Sequence, residues 1–229
     1  MGTSINSIPS ESDITSFEKV IVSSIDPEGN QSSLSRIEKI VERALRSRHI
    51  RELYERANAI PACNKSGKWK VKFVKETYSK FRAECDYKER TIHIRENISD
   101  DYALSFFVFE LTNAVQVNKK LALHEKALRG QIDCESYAKE SERREYNGTL
   151  LHHKVMSAAI KEMNWSKALD IYRYVEKDFE VYWSRIKNSP HTDYHRERWR
   201  ECWDWYRGKS KVAWLPMFFP PAKQFIRGP

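Results

Sequence analysis

The chain has 229 residues, of which 40% are hydrophobic and 31% are charged, a composition typical of a protein with one hydrophobic core. No run approaches the roughly 18–20 consecutive apolar residues that a membrane span needs, and the first residues have neither the basic start nor the apolar core of a secretory signal peptide. We therefore expect a cytoplasmic protein without a transmembrane segment, or one secreted by a non-classical route. The net charge of +8 is concentrated in residues 33–99, which favours acidic partners.

Residues 1–32 are rich in serine, asparagine and acidic residues and poor in large apolar residues. Such a composition cannot bury enough apolar surface to fold, so it predicts a disordered N-terminal arm. We expect the rest, residues 33–229, to form a single domain. Apolar residues at helical spacing from Ile37 to Ala57 predict one long or two short amphipathic helices that end before Pro61.

Three short strands are predicted next. In the first, Trp69, Val71 and Phe73 alternate with lysines, so the apolar and basic side chains face opposite sides. Residues 78–86 and 91–95 predict the second and third strands. Together these patterns indicate a small antiparallel or mixed sheet.

The most apolar part of the chain is the run from Asp100 to Val117. Its apolar residues cover nearly every direction around a helical axis, which predicts a buried helix. Ser99 is expected to cap this helix, and the acidic residues Asp100 and Asp101 favour its first turn through the helix dipole. Glu110 lies in the middle of the run, and a buried carboxylate needs a partner or takes up a proton. Glu110 is therefore the residue that a functional interpretation must explain.

Helical patterns fill most of the remaining chain. They cover residues 121–129, 133–163, 166–187 and 190–206, and we expect the second of these helices to break near Gly148. From Val212 onward, an apolar tail with several prolines cannot form a regular helix. The predicted fold class is therefore α+β and predominantly helical, with a small sheet packed on the buried central helix and a helical bundle after it.

The centre of the buried helix reads FELTNA, from Phe109 to Ala114. This segment and the strand before it resemble the active-site helix of the zincin metallopeptidases, whose HExxH motif takes the form HELTHA. In that family the two histidines bind zinc from one helix face, and the glutamate between them is the general base. Here Phe109 and Asn113 replace both histidines, whereas Glu110 stands at the position of the general base.

The resemblance implies a zincin-like domain that has lost its metal and its peptidase activity. In the glutamate-type zincins a third ligand comes from a later helix, and four glutamates lie on a suitable helix here: Glu135, Glu140, Glu142 and Glu145. We expect a catalytically inactive protein that acts by protein–protein interaction, as a secreted effector or accessory protein would. Its protein partner would bind the basic N-terminal half or the apolar tail.

Two other interpretations concern Glu110 itself. In the first, Glu110 and Asn113 form the catalytic site of a metal-independent hydrolase. In the second, Glu110 is a structural carboxylate paired with a basic residue such as Arg143 or Arg144. A Glu110→Gln variant that loses activity but keeps its stability would favour the hydrolase.

A nucleic-acid-binding protein is the remaining alternative. Lys68, Lys70 and Lys72 form a basic row within residues 33–99, and Arg198 and Arg200 are interleaved with aromatic residues. Such residues neutralise phosphates and stack on bases. The same patterns are also typical of a solvated strand face and of an aromatic stripe in a helical core.

His191 and His195 are the candidate metal ligands. They stand one helical turn apart after Pro190, a spacing at which two imidazoles can bind a metal ion from one helix face. No cysteine or carboxylate cluster in the sequence completes such a site, and two surface histidines are the more common outcome. The chain has no P-loop, GxGxxG or GxSxG motif, and only seven glycines to build a phosphate-binding loop. We therefore expect no cofactor.

Overall fold

The structure is a computed structural model that describes residues 31–61, 67–77 and 81–207. Within these residues the protein is a predominantly helical α+β fold, which confirms the predicted class. The helices are α1 (Gln31–Leu45), α2 (Arg48–Ala59), α3 (Asp100–Ala114), α4 (Val117–Leu128), α5 (Cys134–Met163), α6 (Phe179–Ile186) and α7 (Pro190–Tyr206). The strands are β1 (Lys70–Val74), β2 (Ala83–Asp86) and β3 (Thr91–Arg95), and a 3₁₀ turn covers Lys167–Leu169.

The two ends of the chain bear on several predictions. Residues 1–30 of the predicted arm and the apolar tail from Val212 lie outside the described residues. The amphipathic helices predicted before Pro61 are present as the pair α1 and α2. None of the helices within the described ranges is both long enough and apolar enough to cross a membrane.

The sheet is mixed, with the order β1–β3–β2. The central strand β3 runs parallel to β1 and antiparallel to β2, and its residues Ile92 and Ile94 are buried in the main core. The predicted strand 91–95 is thus confirmed to the residue. Of the predicted second strand, residues 83–86 form β2, residues 81–82 do not belong to it, and residues 78–80 lie outside the described residues. Strand β2 forms one edge of the sheet and contacts helix α3 near the polar side chains of that helix.

Helix α3 is the centre of the fold. The Ser99 hydroxyl accepts a hydrogen bond from the backbone N–H of Tyr102, and two aspartates occupy the first turn, as the sequence predicts. The helix packs against α1, α2, α5, β2 and β3. Because it is covered on nearly every side, even its polar residues Ser105, Glu110 and Asn113 are buried.

Helix α5 continues through Gly148, so the break predicted there is wrong. A Cβ atom at Gly148 would lie 3.1 Å from the hydroxyl oxygen of Thr112 on α3. Gly148 therefore allows α3 and α5 to approach each other closely, and it does not mark a turn. The approach brings polar side chains of α3 and α5 together.

The prediction of a continuous helix over residues 166–187 is also wrong, since this part of the chain forms the 3₁₀ turn and then α6. Two aspartates explain the difference. The Asp170 carboxylate accepts a hydrogen bond from the backbone N–H of Tyr172 (3.1 Å), and the Asp178 carboxylate accepts two from the first turn of α6. Local bonds of this kind between side chain and backbone compete with a continuous helix.

A second, smaller hydrophobic cluster joins α4, α5 and α7 through buried residues such as Leu123, Tyr137 and Cys202. The main core lies around α3 and the sheet. Residues of both clusters, among them Ala83 and Leu123, line a cavity between them.

Candidate active site

The cavity between the two clusters has a volume of about 810 Å³ and is bordered by β2, α3, α4, α5 and α7. This volume is in the range of pockets that hold a small organic molecule. Its lining combines aromatic rings with several ionisable groups. The polar lining residues discussed below are Cys85, Glu110, Asn113, Lys120, Arg144, Glu145, Tyr172, His191, His195 and Arg198.

Glu110 lines this cavity and is only 4% exposed. Its Oε2 accepts a hydrogen bond from the side-chain amide of Asn113 at 3.0 Å, and no salt bridge joins it to another described residue. Burial raises the pKa of Glu110 to about 7, against the lowering effect of the Asn113 hydrogen bond. Near neutral pH this carboxyl group therefore exists in both protonation states.

Asn113 is held in turn by Lys120 and Glu145. The Lys120 ammonium donates to the Asn113 Oδ1 at 3.1 Å and to the Glu145 Oε1 at 2.7 Å. Burial alone would raise the pKa of Glu145, but the positive charge of Lys120 outweighs it and lowers this pKa to about 2. Burial alone would lower the pKa of Lys120, but the negative charge of Glu145 outweighs it and raises this pKa. This chain of contacts fixes the orientation of the Asn113 amide toward Glu110.

The basic partners predicted for a structural Glu110 lie elsewhere. Arg143 pairs with Glu140 and Glu180. Arg144 borders the cavity, and its buried Nε has no hydrogen-bond partner among the described residues. Among the described residues, Glu110 is therefore a buried carboxyl group without a salt-bridge partner.

Two neighbouring groups stay neutral near pH 7. Burial, together with the nearby carboxylate of Glu110, raises the pKa of the Cys85 thiol and of the Tyr172 phenol. Cys85 is therefore a poor candidate for a thiolate nucleophile. Tyr172 remains a hydrogen-bond donor.

The candidate metal ligands His191 and His195 also border the cavity, and the structure adds Glu142 to them. The Oε1 of Glu142 lies 2.9 Å from the His191 Nδ1, and the two imidazole rings are 4.8 Å apart at their centroids. The sequence could not connect Glu142 to these histidines, because 49 residues separate Glu142 from His191.

The basic residues proposed for nucleic-acid binding are divided between two places. Lys70 and Lys72 lie on β1, with Lys68 just before it, at the sheet edge opposite to β2. Arg198 borders the cavity and donates a hydrogen bond to the Tyr194 hydroxyl at 2.9 Å, whereas Arg200 is exposed on α7. The lysines and the arginines therefore do not form one set of cavity residues.

A serine of α3, a histidine of α5 and the aspartate after the 3₁₀ turn form a second polar group that sequence analysis missed. The Ser105 hydroxyl lies 3.1 Å from the His152 Nε2, and the His152 Nδ1 lies 3.5 Å from the Asp170 carboxylate. This order is that of a hydrolase triad. However, Ser105 and His152 are 0% exposed and neither borders the cavity, so a substrate cannot reach this hydroxyl.

Comparison of the chain with protein-family models, with curated proteins and with solved structures gave no match. The functional argument therefore rests on the geometry and chemistry of the cavity.

Proposed function

We propose that the protein is a hydrolase that binds a small polar substrate in this cavity and uses the carboxyl group of Glu110 as its general acid and base. The observation that carries this proposal is the position of Glu110, which borders the cavity and forms no salt bridge with another described residue. A buried carboxylate kept for stability is ordinarily paired or held by several donors. Within the described part of the chain, Glu110 has one donor, the Asn113 amide.

The protonation behaviour of Glu110 supports this role. A pKa of about 7 suits a group that must accept and return a proton near neutral pH. As a carboxylate, Glu110 would take a proton from a water molecule as that water attacks the substrate. As a carboxylic acid, it would return the proton to the leaving group. The Asn113 amide holds one carboxylate oxygen and leaves the other for the water.

Lys120 has a second role in this proposal. Its ammonium lies between Asn113 and Glu145, and it supplies a fixed positive charge near the place where negative charge develops in the transition state. In a zincin-like scaffold, Asn113 and a glutamate of a later helix would stand at metal-ligand positions. The presence of a cationic side chain between them supports a zincin-like scaffold in which a lysine has replaced the metal, and thus metal-independent chemistry at Glu110.

The test is a comparison of Glu110→Gln with the wild-type protein on a panel of p-nitrophenyl esters, p-nitrophenyl phosphate and peptide p-nitroanilides. We expect hydrolysis of at least one member and a loss of about 10²–10⁴-fold in kcat/KM for Glu110→Gln, the usual contribution of a general acid–base group. The matched control is Glu140→Gln on α5, because Glu140 does not border the cavity. Equal rates for both variants, or no hydrolysis by the wild-type protein, would refute the proposal.

Two earlier interpretations stay predictions. Protein binding would use the basic N-terminal half or the apolar tail from Val212, and that tail lies outside the described residues. Nucleic-acid binding predicts an affinity that falls steeply with salt and falls further on charge reversal at Lys68, Lys70 and Lys72. We place the hydrolase first because the contacts of Glu110 and Asn113 support it directly.

A further inference from the structure

Glu142, His191 and His195 form a compact group next to the cavity, separate from the Glu110–Asn113 pair. Each offers one ligand atom, and these three atoms all lie within 4.8 Å of one another. Bonds of about 2.0–2.2 Å to a zinc ion place neighbouring ligand atoms about 3.3–3.5 Å apart. Small side-chain rotations would therefore bring the three atoms into the geometry of a metal site.

The surrounding residues hold the carboxylate in place. Glu142 is 0% exposed, and its Oε1 accepts a hydrogen bond from the Thr192 hydroxyl at 2.7 Å as well as contacting His191. The Tyr182 hydroxyl donates to its Oε2 at 3.3 Å. Second-shell bonds of this kind are typical of ligating carboxylates, because they fix the direction of the lone pairs.

The second histidine has an unused ligand atom. The Nε2 of His195 is buried and has no hydrogen-bond partner among the described residues. A metal ion binds an imidazole through a ring nitrogen that makes no other bond, and this nitrogen is such an atom.

We propose that Glu142, His191 and His195 bind one divalent metal ion of the zinc class, with a remaining coordination position open toward the cavity. Two histidines and one glutamate form a ligand set that zinc and its neighbours in the first transition row prefer, and an open position is typical of catalytic rather than structural sites. The metal ion would displace the proton of the hydrogen bond that joins the Glu142 Oε1 and the His191 Nδ1. In this position it would bind an anionic or carbonyl oxygen of a molecule in the cavity.

This site does not depend on the role of Glu110. Its three ligands are Glu142, His191 and His195, and the hydrogen bond of Glu110 goes to Asn113 instead. The metal site can therefore exist whether or not Glu110 is a general base. Its test must separate the two proposals.

The test is a calorimetric titration of the full-length protein with Zn²⁺ after treatment with EDTA. We expect one Zn²⁺ per chain in the wild-type protein. His195→Ala removes one of three ligands and should weaken binding at least tenfold, and Tyr182→Phe should weaken it less, because Tyr182 only orients Glu142. Circular dichroism of each variant with EDTA present checks that it is folded.

Two controls sharpen the result. His49→Ala removes a histidine of α2 that does not border the cavity, and it should bind Zn²⁺ as the wild-type protein does. Glu110→Gln should also bind Zn²⁺ normally, so a failure of the hydrolase proposal leaves this result unchanged. Absence of Zn²⁺ binding, or equal affinities for folded His195→Ala and His49→Ala, would overturn the site.

Discussion

Two polar groups each connect a residue of α3 to a residue of α5, and they differ in their access to solvent. The first is Ser105, His152 and Asp170, which are buried next to one another. The second is Glu110, Asn113, Lys120 and Glu145, which end at a cavity. From residue types alone, the serine, histidine and aspartate of the first group suggest catalysis more strongly than the residues of the second group do.

The difference teaches that access to a cavity separates the two groups more clearly than their residue types do. In the first group, the Asp170 carboxylate lies near His152, His153 and the backbone N–H of Tyr172, and the buried Nδ1 of His152 has no hydrogen-bond partner among the described residues. In the second, Glu110 has one neutral donor among the described residues and borders a cavity. A polar group closed off from solvent can only contribute to the fold, whereas a perturbed carboxyl group in a cleft is a candidate for chemistry.

The largest effect is expected from breaking the first group. Asp170→Ala removes the acceptor that faces His152, His153 and the backbone N–H of Tyr172, so the free energy of unfolding should fall by about 3–5 kcal/mol from several lost bonds of about 1–3 kcal/mol each. Urea denaturation measures this change. The control is Asp178→Ala, which removes only the cap of α6 and should cost about 1 kcal/mol. Equal costs would contradict the assignment of Asp170 to a buried structural network.

The next effect concerns the ion pair in the second group. Lys120→Met leaves the Glu145 carboxylate without its cation and should cost about 2–4 kcal/mol near pH 7, less than a fully buried pair because the cavity gives some solvation. The pKa of Glu145 is about 2, below its ordinary value of 4.5, so this stabilisation is present in full above about pH 4.5 and is lost as pH falls toward 2.

The double variant Lys120→Met/Glu145→Leu tests the same pair. It should recover part of the stability that Lys120→Met loses, since it no longer buries an unpaired charge. A cost of the double variant equal to the sum of the two single costs would mean that Lys120 and Glu145 act independently.

A smaller effect of opposite sign is expected at Glu110. Its pKa in the folded protein is raised from 4.5 to about 7, so the folded state binds more protons than the unfolded state between these values. Stability should therefore fall as pH rises from about 4.5 to 7. Glu110→Gln removes this penalty, and it should stabilise the protein by up to about 3 kcal/mol at pH 8 and by almost nothing at pH 4.

The pH dependence of urea denaturation checks this prediction. Glu84, Cys85, Lys120, Glu145 and Tyr172 also face Glu110 electrostatically, so the difference between wild type and variant must be used rather than the wild-type curve alone. Glu140→Gln is the comparison variant, because it removes a carboxylate of the same helix pair that does not border the cavity. A constant difference for Glu110→Gln would contradict a raised pKa.

Local signals in the sequence predict much of the fold. The Ser99 cap, strand 91–95 and helix α7 at residues 190–206 are found where the residue pattern places them. Each depends on neighbours a few residues away. The break predicted at Gly148 is wrong because the role of this glycine depends on α3, which is distant in sequence. The helix predicted over 166–187 is wrong because the carboxylate of Asp170 competes locally with helical hydrogen bonds.

The site was predicted only in part, for the same physical reason. Glu110 and Asn113 stand one turn apart on one helix, so their contact follows from the sequence. Lys120 carries no motif, and its pairing with Glu145 is set by how α4 packs on α5. The place of Glu142 beside His191 likewise depends on the packing of α5 against α7.

The most direct test of the central claim is the pKa of Glu110 itself. It can be measured by NMR from the titration of the side-chain carboxyl ¹³C resonance in glutamate-labelled protein, assigned by its absence in Glu110→Gln. The structure predicts a midpoint near pH 7. A midpoint near the ordinary value of 4.5 would mean that Glu110 is ionised and satisfied at neutral pH, and would contradict its role as an acid–base group.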